Sequence, residues 1–492
     1  MVRNNPTRLL IFLIVAAAFS GCTAKVAPAP PALSVNAATR YDPASWGKSF
    51  PDEYRTWLKT KDNRPAGKSV YKRGGAAGKT FDKLSEYPYL ALLYAGWGFG
   101  IEYNEPRGHY YMLADQESVD KSRLKSGGVC LTCKTPYESQ LFGDKGSALF
   151  SMPYDQANAL IPAQNGRVGP TCIDCHDPDN MDLRPIRIAD VEELARLGKT
   201  DLNYGDMKSL VCGQCHSSYI IPRDAGMKSV SLELPWRNGA WGDLSVEGMI
   251  AQIEGDPANL EWKQSITGMK LGFIRHPEYE MYSRGSTHWS KSVSCGSCHM
   301  EKAWNEQDAK YTDHNVISPL DSDMSQCLDC HSTSSAAKLR QAVLSIQKEI
   351  VGEMNTAGYA TAVAAKLIER VNGMKAAGAD VDEDNLNKAS ASYRQAFYRV
   401  VFLAAENSAG FHNPPEARRI ARDAVRHASD AQLLLINVIT GAGAGAPTFV
   451  NLDLPKYLKN RGDKNLNLDV ALEYKETSLF SDIKLLPYIK GI

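Results

Sequence analysis

The chain has 492 residues, and its 56 Lys and Arg balance its 56 Asp and Glu, so the formal net charge at pH 7 is zero. A neutral chain lacks the basic surface that nucleic acids bind, which argues against a DNA or RNA partner. Hydrophobic residues make up 43% and charged residues 23%, and these ordinary globular values exclude disorder over most of the length. The unusual feature of the composition is its 11 Cys and 10 His.

The first residues of the chain have the pattern of a secretory signal. Two arginines precede the apolar run Leu9–Phe19, which is about half as long as a membrane-spanning helix. Two small residues and then Cys22 follow, as at a bacterial lipoprotein cleavage site. We therefore predict a lipoprotein-type signal peptide over residues 1–21 and an acylated Cys22 that anchors the chain to a membrane. An ordinary signal peptidase site near Ala24 is the alternative, and both readings predict a periplasmic protein.

The rest of the chain divides by composition into three stretches. Residues 22–46 are rich in Ala and Pro and predict an extended tether. Residues 47–334 are rich in Gly, Pro and aromatic residues and show no sustained alternation of apolar and polar residues, so we expect short helices and little β-structure there. Residues 335–492 change character, because their apolar residues recur at helical spacing.

This C-terminal region predicts a bundle of long helices. Apolar residues follow the helical period between Leu339 and Ile350 and again between Leu386 and Val400. Asn413 precedes two prolines, which predicts an N-cap and the first turn of a third helix that continues to about Thr440. The bundle serves either as a packing subdomain or as a homodimer surface, and the sequence leaves both interpretations open.

Ten of the 11 cysteines form five CxxC pairs, and a His directly follows four of them. CxxCH is the attachment signal of c-type haem, in which the two thiols bond the haem and the His binds its iron. Zinc would not explain the His, and it would need an even number of pairs, whereas redox dithiols explain the spacing even less well. The pairs are Cys130/Cys133, Cys172/Cys175, Cys212/Cys215, Cys295/Cys298 and Cys327/Cys330, followed by Lys134, His176, His216, His299 and His331.

Five covalent haem c groups imply a particular fold. A region of irregular sequence can use the haems as its core, with aromatic side chains packed against them. We therefore predict a mainly α multihaem cytochrome c, with the haems in residues 47–334, long helices in residues 335–492 and little β-structure.

The remaining histidines supply the second axial ligands. A c-type haem that only carries electrons has two strong axial ligands, so the four His-ligated haems need four distal partners. We assign this role to a set of four, His109, His288, His314 and His412. Of the other two, His427 has the setting of an ordinary helix-face residue, and His276 stays free for another role.

The first haem differs from the others because Lys134 replaces His. An amine binds iron only when it is deprotonated, and the usual Lys pKa is near 10.4. A buried apolar site and the charge of the iron must together hold Lys134 neutral. No sixth ligand is reserved for this iron in the sequence. An open position beside an electron reservoir is what a substrate-reducing site needs, whereas a surface role for Lys134 is the alternative.

One CxxCK followed by four CxxCH resembles the pentahaem cytochrome c nitrite reductases, the ammonia-forming enzymes. The resemblance extends over most of the chain after Trp46, and three further segments carry it: Pro106-Arg107-Gly108-His109, His276-Pro277-Glu278-Tyr279, and Asp313-His314 followed by Ser318-Pro319-Leu320. It implies the six-electron reduction of nitrite to ammonium at the Lys-ligated haem. It also implies a homodimer, and an electron donor that is either a membrane quinol-oxidising multihaem cytochrome or a small soluble cytochrome.

The resemblance further implies an Arg, a Tyr and a His around the substrate. Tyr219 and His276 match the Tyr and the His, and Arg123 is the best match for the Arg, with Arg107 as the fallback. Arg123 and His276 would donate hydrogen bonds to the oxygens of nitrite. His276 would also relay protons, because the pKa of His lies near neutrality.

This chain departs from the family where many members bind calcium beside the active site. A Glu before the catalytic Tyr and a Lys-x-Gln before the catalytic His are typical there, and the corresponding residues here are Ser218, Phe273 and Arg275. Calcium needs several hard oxygen ligands. We therefore predict that calcium is absent and that the Arg275 guanidinium takes its place near Tyr219.

Two other functions remain as alternatives. A pure multihaem electron carrier would lack a substrate site, and the CxxCK motif argues against it. A related enzyme that acts on hydroxylamine or sulfite is also compatible with the sequence.

Overall fold

The structure is a computed structural model that describes residues 35–62, 81–163, 167–199, 202–238, 244–448, 450–459 and 461. The predicted signal peptide and Cys22 lie outside the described residues. The first helix, α1 (Pro43–Gly47), spans the predicted boundary between tether and haem region at residue 46. Its Trp46 is only 2% exposed, so the packed part of the chain begins before that boundary.

The haem-signal region consists of short helices, as predicted. Prolines stand at the first turn of several of them, where the fixed φ favours a helix start. The α-helices are α2 (Pro51–Leu58), α3 (Lys83–Glu86), α4 (Pro88–Leu93), α5 (Gly98–Ile101), α6 (Met112–Ser118), α7 (Glu138–Lys145), α8 (Ala148–Ser151), α9 (Tyr154–Ala159), α10 (Ile188–Arg196), α11 (Tyr204–Gly213), α12 (Val246–Gly255), α13 (Glu278–Ser283), α14 (Cys295–His299) and α15 (Ser325–Leu328).

Segments of 3₁₀-helix connect these elements. They are Lys59–Lys61, His109–Tyr111, Lys121–Leu131, Cys172–Asp174, Pro235–Asn238, Pro257–Asn259, Trp289–Lys291 and Pro319–Asp321. The segment Lys121–Leu131 is broken at Gly127, whose φ is +76°. A Cβ there would lie 2.5 Å from the Met152 carbonyl oxygen, so this bend requires glycine. The bend separates Arg123 from the first haem signal in sequence and turns the chain between them.

Strands are few and very short among the described residues. Three antiparallel pairs join β1 (Phe81–Asp82) to β2 (Asn104–Glu105), β3 (Trp262–Lys263) to β4 (Lys270–Leu271), and β5 (Lys302–Trp304) to β6 (Lys310–Thr312). In register, Phe81 pairs with Glu105, Trp262 with Leu271, and Lys302 with Thr312. The prediction of a mainly α fold with little β-structure is confirmed.

Three long helices follow the last haem signal, and a short helix ends the described chain. They are α16 (Ala336–Ala376), α17 (Glu383–Ala405), α18 (Pro414–Gly441) and α19 (Leu454–Lys459). Ser335 and Asp382 cap α16 and α17 by accepting backbone N–H bonds. Asn413 precedes α18 as predicted, but its amide donates instead to the carbonyls of Met281 and Arg284. The predicted N-cap residue therefore ties α18 to α13.

The helical bundle has a dense apolar core that extends into the haem region. Ala360, Ala396 and Ala428 come from α16, α17 and α18 and are buried together, so small side chains let the three backbones approach closely. On α16, Gly358 lies against the ring of Tyr89 on α4, where a Cβ would meet ring atoms at 2.3 Å. No helix among the described residues is long and apolar enough to cross a membrane.

Candidate haem centres and active site

The ten CxxC cysteines lie as free thiols, without disulfide bonds. These thiols stand in for the thioether sulfurs that would bond the haems. The second, third and fifth pairs share one backbone pattern, in which the N–H of the following His bonds to the carbonyl of the first Cys. His176, for example, lies 2.9 Å from the Cys172 carbonyl oxygen in this bond. This turn brings two sulfurs and an imidazole to one side of the chain, as haem attachment requires. The fourth signal forms the helix α14 itself.

The polypeptide encloses the fifth haem signal less than the other four. Cys330 is exposed, whereas the other nine CxxC cysteines are half-buried, and the adjacent His331 is exposed as well. This signal lies on and directly after α15, which has no buried residue, and the first buried residue of the next helix is Gln347. The assignment of a haem to this signal stays a prediction.

The structure brings each predicted distal His opposite a proximal His. Ring centroids are 6.4 Å apart for His109 and His216, 6.2 Å for His176 and His314, 6.4 Å for His288 and His331, and 6.3 Å for His299 and His412. Two imidazoles that each bind one metal at about 2.0 Å have their centroids about 6.3 Å apart. The four pairs therefore fit four irons, each between two imidazoles.

His216 has a second imidazole at the same spacing, because the His276 ring centroid lies 6.2 Å away. Distance alone does not separate His109 from His276 as the partner of His216. The surroundings differ, however. The charges that act on His276 include Lys134 and Arg275, which places it beside the first haem signal.

Hydrogen bonds orient several of the axial imidazoles. Nδ1 of His176 lies 2.9 Å from the Met181 carbonyl oxygen, and Nδ1 of His314 lies 2.8 Å from that of Thr312. Nδ1 of His299 contacts the Ile317 carbonyl oxygen at 2.9 Å. A carbonyl acceptor fixes the proton on Nδ1 and leaves Nε2 free to bind iron. These three imidazoles are therefore already set as ligands.

Two other axial imidazoles face carboxylates. Oε1 of Glu406 lies 2.7 Å from Nδ1 of His412, off the line of its N–H bond, and Oε2 of Glu278 lies 3.7 Å from Nδ1 of His216. Neither carboxylate was identified as functional from the sequence. Glu278 lies in a segment that carried the family resemblance, whereas nothing in the sequence around Glu406 indicates its contact.

Contacts between different haem signals show which sites are neighbours. Sγ of Cys133 lies 4.0 Å from the carbonyl oxygen of Gln214, next to Cys215, and Sγ of Cys295 lies 4.0 Å from that of Ser209 on α11, the helix that holds Cys212. The side-chain amide of Gln326, next to Cys327, donates to the Cys298 carbonyl oxygen at 3.3 Å. Sites one, three, four and five are therefore neighbours in that order.

Lys134 is half-buried directly after the first CxxC pair. Its surroundings lower the pKa of Lys134, chiefly through burial, which favours the neutral amine that can bind iron. Its backbone N–H bonds to the Leu131 carbonyl oxygen at 2.9 Å, so the chain turns back on itself directly after the two cysteines. Ligation of an iron by Lys134 stays a prediction.

The three predicted catalytic side chains lie around the first haem signal. Sγ of Cys130 lies 4.0 Å from the Arg123 carbonyl oxygen, and Cys130 and Tyr219 pack against the same buried apolar cluster. Burial raises the pKa of Tyr219. Arg123 donates to the Glu102 carbonyl oxygen at 3.3 Å, and its Nε is buried with no hydrogen-bond partner among the described residues. Its guanidinium therefore keeps a donor for a further acceptor.

Burial lowers the pKa of the His276 imidazole well below the value near neutrality that is usual for His. Its Nδ1 is buried with no hydrogen-bond partner among the described residues, and its φ is +49°, in the left-handed region that is rare for residues other than glycine. An unpartnered polar atom and a strained backbone are typical of functional sites.

The fallback residue, Arg107, is engaged elsewhere. Its backbone N–H bonds to Asp115 at 3.0 Å, its guanidinium pairs with the same carboxylate, and it lies over the Tyr111 ring at 4.4 Å. The contacts thus favour Arg123 as the residue that faces the first haem signal.

The position assigned to calcium contains a buried ion-pair network. Arg275 donates to both oxygens of Glu261, at 2.8 and 2.6 Å, and its Cζ lies 5.1 Å from the centroid of Tyr219. Arg223 pairs with the same carboxylate at 3.3 Å. The Arg275 guanidinium therefore lies near Tyr219, and its replacement of calcium stays a prediction. Glu261 and Arg223 were not identified from the sequence, because no motif marks them.

Known proteins share both this sequence pattern and this fold. A family model described as cytochrome c552 matches residues 42–482. The chain is 28% identical over 422 residues to a cytochrome c-552 of Aliarcobacter butzleri (strain RM4018), and the aligned segment covers 82% of this chain and 79% of the relative. It is 31% identical over 352 residues to the cytochrome c nitrite reductase subunit NrfA of Nitratidesulfovibrio vulgaris (strain Hildenborough), and the aligned segment covers 67% of this chain and 65% of that subunit.

A solved structure shares the fold. The catalytic subunit (NrfA) of the cytochrome c nitrite reductase from Desulfovibrio desulfuricans ATCC 27774, described with two calcium sites, superposes with a TM-score of 0.74 at 24% identity. The match covers 86% of this chain and 95% of that one. Together with the family match over most of the chain, this confirms the resemblance that the CxxCK and CxxCH motifs predicted. The chain belongs to the cytochrome c552 family.

Proposed function

We propose that this protein is an ammonia-forming nitrite reductase, which reduces nitrite at the haem held by Lys134. The observation that carries the proposal is the convergence of Arg123, Tyr219 and His276 on the first haem signal, beside four imidazole pairs spaced for electron-carrying haems. The relative of N. vulgaris, named as a nitrite reductase subunit, supports it.

The reaction needs both electrons and protons. Nitrite takes up six electrons and eight protons to give ammonium and two water molecules. The haem at Lys134 would bind nitrite and deliver the electrons, and the other four would supply it. The protein groups must attract an anion, hold its two oxygens and bring protons to them.

The three side chains divide these tasks. The Arg123 guanidinium attracts nitrite and donates a hydrogen bond to an oxygen, since its Nε has no partner among the described residues. His276 faces the same site, and its imidazole can donate a proton from one nitrogen and accept another at its second nitrogen. Tyr219 stays protonated, because burial raises its pKa, so its hydroxyl donates a hydrogen bond.

The test of this function is the response of one haem to nitrite. Nitrite should shift a single high-spin haem signal, and six electrons should be consumed for each ammonium formed. The Lys134→His variant should keep its haem but change that signal and turn over more slowly. A pure electron carrier would show no shift with nitrite, and this result would overturn the proposal. Parallel assays with hydroxylamine and sulfite would rank the alternative substrates.

We further propose that Arg275 replaces calcium beside Tyr219. The carboxylate of Glu261 is fully engaged by Arg275 and Arg223 and lies 1% exposed at its side chain. A divalent cation there would have to displace two guanidinium groups from that carboxylate. Arg275 instead supplies a permanent positive charge that needs no metal.

The proposal also includes the location and the partners of the enzyme. The signal pattern of residues 1–21 supports a periplasmic protein anchored through an acylated Cys22. Dimerisation through the long helices, and electron supply by a quinol-oxidising multihaem cytochrome or a small soluble cytochrome, follow from the family.

The composition of the purified protein checks these proposals together. Intact mass spectrometry of exported protein should give five covalent haems, the one at Cys327 and Cys330 included, on a chain that begins at an acylated Cys22. Elemental analysis should give iron without stoichiometric calcium. A chain that begins near Ala24 without lipid would contradict the anchor. Stoichiometric calcium that is lost in a Glu261→Gln variant would contradict the role of Arg275.

A further inference from the structure

A buried carboxylate lies behind one of the axial imidazoles. Glu406 directly follows α17, and its side chain is fully buried. Three donors surround it: the Ser408 N–H at 2.9 Å, the Ser408 hydroxyl at 2.8 Å and the Gly410 N–H at 2.9 Å. Donors of this kind stabilise the ionised form, so Glu406 is a fixed negative charge inside the protein.

This charge faces His412. Oε1 of Glu406 lies 2.7 Å from Nδ1 of His412, and that nitrogen makes no well-aligned hydrogen bond with any described residue. His412 in turn lies opposite His299, in the pair that fits the fourth haem. The carboxylate thus lies next to the ligand and does not itself reach the iron.

The same segment also supports the neighbouring haem site. The N–H of Asn407 donates to Oε1 of Glu278 at 3.0 Å, and the other oxygen of that carboxylate lies 3.7 Å from Nδ1 of His216. The chain from Glu406 to Asn407 therefore arranges two carboxylates behind the axial ligands of sites three and four. We expect the larger effect on His412, because its Nδ1 lies 2.7 Å from a carboxylate oxygen, whereas Nδ1 of His216 lies 3.7 Å from one.

The second haem site provides an internal contrast. Both of its imidazoles, His176 and His314, have their Nδ1 atoms against backbone carbonyl oxygens, at 2.9 and 2.8 Å. A carbonyl is a neutral acceptor, whereas a carboxylate carries a full negative charge. Sites two and four therefore have the same type of ligand with different charges behind it.

We propose that Glu406 is a positioning residue that lowers the reduction potential of the haem between His299 and His412. Reduction removes one positive charge from the iron, so a fixed negative charge nearby stabilises the oxidised state relative to the reduced one. The proposal rests on the haem assignment and does not depend on nitrite as the substrate. The fourth haem lies between the fifth and the third, so a low potential there makes it release an electron readily towards the first haem.

The test is a potentiometric titration of the Glu406→Gln holoprotein, with the low-spin haems followed by electron paramagnetic resonance. Replacing one contact behind a metal ligand changes the equilibrium about tenfold or more. We expect one low-spin haem to become easier to reduce by about tenfold, which corresponds to about 59 mV for one electron. The other haems should shift much less. Unchanged potentials in a variant that keeps its low-spin spectrum would overturn the proposal.

Two control variants separate charge from packing. Ser408→Ala removes one donor to Glu406 and loosens the same loop, but it keeps the carboxylate beside His412. Glu280→Gln replaces a buried carboxyl group whose partners are the Ser218 N–H and the Trp236 ring nitrogen. Burial raises the pKa of Glu280 to about 8, so this variant tests the change of side chain without the loss of a negative charge. Both should keep the potential of the fourth haem close to that of the parent protein. An equal shift in Ser408→Ala would mean that the loop, and not the charge, sets the potential.

The Glu406→Asp variant is needed if Glu406→Gln loses His412 as a haem ligand. If Glu406→Gln releases His412, a new high-spin signal will appear, and Glu406→Asp then decides the question. Retention of the low-spin signal and of the low potential in Glu406→Asp would support a role for the negative charge. Release of His412 in that variant as well would show that Glu406 only fills space, and it would overturn the proposal.

Discussion

His276→Asn is expected to lower nitrite turnover by about 10²- to 10⁴-fold, the range for removal of a positioned proton donor. Asn can still donate a hydrogen bond, but it cannot release and regain a proton. His276 is buried, its Nδ1 has no hydrogen-bond partner among the described residues, and its backbone is held at a φ of +49°. If His109 is the second ligand of the haem on His216, reduction of the five haems by an artificial donor should continue at the parent rate.

His427→Asn is the matched control for this change. His427 lies on α18, where its ring contacts the Arg426 guanidinium at 3.2 Å, and it has no predicted part in the site. It should leave turnover within about twofold of the parent protein, since surface changes have small effects. An equal loss of turnover and of haem reduction in His276→Asn would indicate damage to the fold.

The low-spin haem signals of two variants, His276→Asn and His109→Ala, identify the partner of His216. Both His109 and His276 lie at ligand spacing from it, at 6.4 and 6.2 Å. If His109 is the ligand, His276→Asn will leave every low-spin haem signal unchanged, and His109→Ala will convert one of them to high spin. The opposite pattern would remove His276 from the substrate site.

Arg123→Gln is expected to lower nitrite turnover by about 10²- to 10³-fold, as for loss of one donor to a developing negative charge. The guanidinium lies 3.9 Å from the Phe99 ring and donates to the Glu102 carbonyl oxygen, which fixes its direction. Gln keeps a donor but removes the positive charge that attracts nitrite. The apparent affinity for nitrite should therefore fall together with the turnover.

Arg107→Gln is the control, because it makes the same change at the other candidate. Arg107 is already paired with Asp115, so its loss should cost some local stability and little activity. Steady-state assays of both variants, at equal haem content, decide between the two arginines. A larger loss in Arg107→Gln would reverse the assignment.

The sequence alone determined the five haem attachment signals and predicted the long helices, for different physical reasons. Haem attachment depends on covalent chemistry within five consecutive residues, so CxxCH and CxxCK can be read without knowing the fold. The long helices follow from local periodicity, and α18 (Pro414–Gly441) ends within one residue of the predicted Thr440. The choice of His109, His288, His314 and His412 as a set followed from the supply of histidines.

Burial was decided only by the tertiary structure. The motif at Cys327 and Cys330 is the same as at the three other CxxCH signals, yet Cys330 is exposed, because exposure depends on what packs around a segment and not on its own residues. The lowered pKa values of Lys134 and His276 likewise follow from burial in the folded chain, which their neighbours in sequence do not specify.

The tertiary structure also decided which groups meet. The partner of each proximal His comes from a distant part of the chain, as His314 does for His176, and nothing local indicates such a pairing. The pairing of Arg275 with Glu261 is long-range in the same way, and the contact of Glu406 with His412 depends on the course of one loop. Local sequence specifies covalent chemistry and helical periodicity, whereas contacts between distant segments exist only once the chain has folded.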